Sequence, residues 1–155
     1  MRNVQQEPEL ATVRYGGVEL KLPVEWEDRS VLVYNQSSGA AFEPNFSIAR
    51  IPLSEKKPLD QIVRDFPLSD NLDCLLVLSR DYRESSGRPV FERIYRFVEP
   101  YQGTVLQQAQ RFILHRRGNL IVLTLTAAAS AFDGAYPVFD RAGLKVAAAT
   151  MAEAP

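Results

Sequence analysis

The run Thr104-Val-Leu-Gln-Gln-Ala-Gln-Arg-Phe-Ile-Leu114, the turn His115-Arg-Arg-Gly-Asn119 and the run Leu120-Ile-Val-Leu-Thr-Leu-Thr-Ala127 decide the fold. Both runs are long, apolar and rich in residues that favour strands, and the polar turn between them holds a glycine and an asparagine that tolerate positive φ. Strands joined by so short a turn pair antiparallel. Toward the N-terminus, Val90-Phe-Glu-Arg-Ile-Tyr-Arg-Phe-Val98 predicts another strand. The turn Ser85-Ser-Gly-Arg-Pro89 links it back to an extended segment from Leu75 to Arg83.

The first third of the chain extends the pattern. Val18-Glu-Leu-Lys-Leu22 alternates and is closed by Pro23, and Ser30-Val-Leu-Val-Tyr34 predicts a strand after a turn that holds Trp26. Gln36-Ser-Ser-Gly39 breaks the pattern before Asn45-Phe-Ser-Ile-Ala-Arg-Ile51, where Phe46 and Ile48 face one way and Ser47 and Ala49 the other. Pro58 followed by apolar residues at 59, 62, 63 and 66 has helical spacing, with the proline in the first turn. Pro137 suits a first turn as well, which predicts a C-terminal helix over about 137–148. The fold class is therefore α+β, an antiparallel β-sheet packed against helices from the middle and end of the chain. Residues 1–12 are expected to be a flexible lead, 13–149 a single domain and 150–155 a tail.

Composition narrows the function. Eighteen Lys+Arg against nineteen Asp+Glu give a formal charge of −1, so the basic surface that nucleic-acid binding needs is missing. The N-terminus has no apolar run of the kind a signal peptide uses and no run spans a membrane, so a cytoplasmic location without stable membrane association is expected. One cysteine, Cys74, and one histidine, His115, leave neither an internal disulfide nor a zinc site of the His/Cys type, and no cofactor or metal is expected. Cys74 reads as a small buried hydrophobe and His115 as a turn residue beside two arginines that disfavour its protonated form. Glu25, Glu27 and Asp28 read as a solvated acidic corner rather than an acid pair. No phosphate-cradling glycine loop, nucleophile elbow or zinc-protease helix occurs, and the expectation is a protein that binds rather than catalyses.

In an extended Val105–Ile113 segment, Leu106, Gln108, Gln110 and Phe112 share one face, so two uncharged amides interrupt an apolar row. An amide is costly to bury alone. Such a row suits a ligand that is apolar yet exposes some backbone polarity; the alternative is a wetted sheet face with no ligand.

Several stretches in order, Leu22-Pro-Val-Glu-Trp26, Asp28-Arg-Ser-Val-Leu-Val-Tyr34, Phe46-Ser-Ile-Ala-Arg50, Gln110-Arg-Phe-Ile113 and Asn119-Leu-Ile-Val-Leu-Thr-Leu-Thr126, resemble the Eag chaperones, DcrB-like domains associated with type VI secretion and related to the PsbP and Mog-type fold. The resemblance runs from about Tyr15 to Val146. It implies an adaptor that binds the N-terminal transmembrane helices of a secreted effector, shields them from water and helps load the effector onto the VgrG spike, working as a homodimer. By local match it places Val31, Val33, Ser47, Leu106 and Gln110 in the effector-binding groove, and Gln108 joins by strand parity. Ser47 departs from the pattern, which would accept an aliphatic residue there, and the sequence after Phe66 diverges, so no helix residue is carried over. Ordinary sheet core is the competing reading for Val31 and Val33. A module of the same fold that binds a soluble protein partner is the competing reading for the whole chain.

Overall fold

The computed structural model describes residues 9–15, 18–23, 31–35, 39, 42–66, 68, 73–83, 87–115 and 118–141. The elements in chain order are β1 (Leu10–Tyr15), β2 (Val18–Pro23), β3 (Val31–Asn35), β4 (Asn45–Pro52), α1 (Leu59–Asp65), β5 (Leu75–Arg83), β6 (Pro89–Val98), β7 (Val105–His115), β8 (Asn119–Ala128) and a second helix, α2, over 132–141. β1 and β2 form a two-stranded sheet, and the other six strands form one antiparallel sheet in the order β3-β4-β8-β7-β6-β5. The fold is α+β, as the sequence predicts.

Strand β8 explains the order. Its residues alternate Leu120 and Val122 to one face with Ile121, Leu123, Leu125 and Ala127 to the other, so both faces need cover and the strand belongs in the middle. The link from β4 to β5 passes over three strands and carries α1 with it. Leu59, Ile62 and Val63 of α1 pack on Phe112, Leu120 and Val122 on one face, while Phe132 and Phe139 of α2 pack on Ala109, Ile113, Leu123 and Leu125 on the other. Phe112 and Phe139 are fully buried, contributing roughly 1.5–3 kcal/mol each from area removed from water.

Two sequence expectations are corrected. The first strand begins at Leu10, inside the expected lead of residues 1–12, because Leu10–Tyr15 pairs residue for residue with Val18–Pro23. Helix α2 begins at 132, not 137: Ala135 donates its N–H to the Ala131 carbonyl at 3.3 Å, and Phe132, Tyr136 and Phe139 then recur at helical spacing toward the sheet. Pro137 thus lies within the helix, where it lacks an N–H for the preceding turn. At the β7–β8 turn Gly118 takes positive φ, 76°, and Asn119 is the first residue of β8. A smaller difference is at Pro58, which caps α1 in extended geometry and offers its carbonyl to Gln61 and Ile62 at 3.1 Å instead of entering the first turn. The expected turn around Trp26 with its acidic corner, the break at 36–38, residues 1–8 of the expected lead, the 142–148 part of the C-terminal helix and the 150–155 tail lie outside the described residues.

Candidate binding face

Helix α1 covers part of its side of the sheet. Strand register carries the remainder as two crosswise rows. The first runs Val33, Ser47, Thr124, Gln110, Arg93, Ser79; the second runs Asn35, Asn45, Thr126, Gln108, Tyr95, Leu76. Facing side chains on adjacent strands sit about 4.5–5.5 Å apart, close enough to bond one another. In the second row Tyr95 donates its hydroxyl to Gln108 Oε1, and Gln108 Nε2 donates to Thr126 Oγ1 at 2.7 Å. In the first row Arg93 Nε donates to Gln110 Oε1 at 2.8 Å, and a second guanidinium nitrogen donates to the Phe66 carbonyl at 2.9 Å.

The electrostatics of this face centre on Arg93, which is 7% exposed and whose described hydrogen bonds go to neutral acceptors rather than a carboxylate. Burial presses its pKa down, with Tyr95 and Cys74 acting the other way. The guanidinium lies 5.0 Å from the Phe112 ring centre and 6.0 Å from that of Tyr95, so ring quadrupoles supply part of the missing compensation. Burial also pushes the Tyr95 phenol up to about 12 and raises the Cys74 thiol, the latter partly offset by Arg93. Cys74 is half-buried, and its raised pKa keeps it a thiol at neutral pH.

All six residues singled out in the sequence fall on this face. Val31 and Val33 are 57% and 58% exposed, so they are not sheet core. Ser47, Gln108 and Gln110 are half-buried between them and β6. Leu106 shares the face through its pairing with Phe97 but is buried. Sequence reasoning missed Arg93 and Tyr95, although both lie in the strand Val90–Val98 and alternate with Val90, Glu92 and Ile94; a buried arginine becomes visible only when β6 is set beside β7 in register.

The opposite face holds a buried ion cluster. Arg111 and Glu92, 2% and 0% exposed, pair directly, and Arg111 reaches Asp140 on α2. Tyr136 donates its hydroxyl to Glu92 Oε1 at 2.8 Å, Arg80 approaches the same carboxylate at 2.9 Å, and the Arg111 guanidinium stacks 4.8 Å from the Phe139 ring centre. No buried polar side-chain atom of the cluster lacks a partner, and its ion pairs fasten α2 to the sheet. A hollow of about 410 Å³ also lies on the α2 side, lined by Tyr34, Phe46, Leu125, Val138 and Phe139, and contains none of the six residues. Among the described residues, no cluster of His, Cys, Asp and Glu could hold a metal ion, and no helix is long and apolar enough to cross a membrane.

The DcrB family model matches residues 18–140, from the start of β2 almost to the last described residue of α2. The chain belongs to the DcrB family. Among solved structures, this DcrB-family chain is similar to PA94 from Pseudomonas aeruginosa, a protein of unknown function, with TM-score 0.68 and 24% identity over 86% of this chain and 92% of that one. It is also similar to the Ran-binding protein Mog1p of Saccharomyces cerevisiae, with TM-score 0.49 and 13% identity over 86% and 85% of the two chains. No curated protein matches it. The likeness to PA94 shows a shared fold alone, and the candidate face rests on this chain's own residues.

Proposed function

We propose that the chain is a protein-binding adaptor whose β3-to-β6 face holds an apolar helical segment of another protein. In the specific form, that segment is an N-terminal transmembrane helix of a type VI secretion effector, kept from water in the cytoplasm until the effector is loaded on VgrG. The chain performs no chemistry in this reading. The observation that carries it is the pair of amide-and-hydroxyl rows set between exposed valines on β3 and the exposed Leu76 on β5. Exposed apolar side chains supply contact area, while neutral donors and acceptors can meet backbone groups that a helix exposes at its small residues, for about 1–2 kcal/mol each. A segment of about 20 apolar residues aggregates in water, so a face of this composition substitutes for lipid.

Dimerisation belongs to the proposal. Among the described residues strand β5 is one of the two sheet edges, and its run Leu75-Leu-Val-Leu78 is 38–65% exposed, which supports a second copy completing the site. The test is detergent-free co-expression with the hydrophobic N-terminus of an effector encoded beside it. The parent is expected to hold that segment in solution and Val33→Gln to lose it while keeping its far-UV circular dichroism. A segment that stays insoluble beside folded parent protein overturns the reading in favour of a module for soluble partners.

A further inference from the structure

Helix α2 covers Ala109, Ile113, Leu123 and Leu125 but does not bury Tyr34 of edge strand β3, which is 59% exposed. The hollow of about 410 Å³ lies where that cover ends. Register sets Tyr34 beside Phe46 and Phe46 beside Leu125, so a third crosswise row lines it from the sheet, while Ala135, Val138 and Phe139 line it from α2. Phe46 and Phe139 meet edge to face, 5.7 Å between ring centres. Among the described residues, none that lines the hollow carries a charge, and Tyr34, Asn35 and Asn45 supply its neutral polar groups.

Gly134 lines the hollow too. It lies within α2 without a positive φ, and a Cβ placed on it would meet nothing within 4 Å. Glycine is the poorest helix former after proline, so alanine would suit the local structure better. Neither the backbone nor packing among the described residues asks for a glycine here. A missing side chain lets a ligand come close to the helix backbone.

We propose that the hollow between α2 and β3 binds a small, neutral, aromatic molecule. Small-molecule pockets span about 300–1,000 Å³ and are mostly apolar with a few polar groups, which this hollow matches. An ionic ligand would lose its hydration with no opposite charge in the lining to offset the loss. The rings of Tyr34, Phe46 and Phe139 favour a flat ring over a flexible chain, since aromatic groups gain from offset and edge-to-face contact. The site is separate from the α1-side face and does not depend on the proposed function.

The test titrates the full chain with phenylnaphthylamine, a neutral probe whose fluorescence rises in apolar surroundings, and with its sulfonated counterpart, anilinonaphthalene sulfonate. The parent is expected to bind a single phenylnaphthylamine per chain and the sulfonate about tenfold more weakly. Naphthol should displace the neutral probe, and decanol should not. Backbone amide shifts in proton–nitrogen NMR spectra should gather at Phe46, Leu125, Gly134 and Val138. Gly134→Leu, whose side chain enters the hollow, should weaken binding by about tenfold. Tyr34→Ser, at an exposed position, should weaken it severalfold and serves if the first variant does not fold. Binding that is absent in the parent, unchanged in both variants, equally tight for the sulfonate, or marked by shifts at Val33 and Gln110 instead overturns the proposal. Displacement by decanol alone overturns the aromatic assignment. Each of these outcomes leaves the proposed function of the opposite face standing.

Discussion

Glu92 and Arg111 show what a single residue contributes and why the sequence hides it. Alternation along β6 places Glu92 in the file of Val90 and Ile94, so a charge in the core is legible from the sequence as an anomaly. Its partner is not, because the register pairing Glu92 with Arg111 is fixed only once the β6–β7 hairpin is built. Removing one member of a buried pair strands the other, so Arg111→Met should lower the free energy of unfolding by ~3–5 kcal/mol, and Glu92→Leu added to it should restore much of that loss. Urea denaturation of the two variants checks the sign. Tyr95 makes a second prediction. Its folded pKa lies above its unfolded value of 10, so its contribution is complete below pH 10 and fades as pH rises toward about 12, when the unfolded phenol ionises first. Tyr95→Phe should flatten the fall in stability across that window, measured as urea midpoints from pH 9 to 12.

Elements differ in how openly the sequence declares them. The strands of the main sheet and α1 follow from alternation and spacing, because each buries one or both faces against a neighbour. Helix α2 was legible in kind but not in position. Pro137 points to a first turn, yet the stripe Phe132, Tyr136, Phe139 buries more than a proline-led start would, and packing on the sheet sets the boundary. Strand β5 is the converse case. Leu75-Leu-Val-Leu78 is apolar without a break, yet it lies at an edge of the described sheet, with a register shift between Leu76 and Leu78. Unpaired backbone beside exposed apolar side chains favours edge-to-edge association. Val77→Lys should therefore shift the chain toward monomer in sedimentation velocity without changing its circular dichroism, and unchanged sedimentation would show that β5 is not the contact.

At the scale of the whole molecule, the sheet divides its labour between two faces. The α2 side is closed by an ion cluster and aromatic packing, and the α1 side is left partly open, with neutral polar rows between apolar margins. Val31, Val33, Ser47 and Gln110, singled out by the family resemblance, and Gln108, singled out by strand parity, lie on the one face. The sequence did not reveal that Arg93 and Tyr95 hold the glutamines, since those contacts cross between strands. The measurement that bears most directly on the central claim is native mass spectrometry of the chain co-purified, without detergent, with the hydrophobic N-terminal segment of a neighbouring effector. A soluble complex of two copies of the chain with one segment, lost in Val33→Gln, is the expected result. A well-folded chain that leaves the segment insoluble or unbound would contradict it.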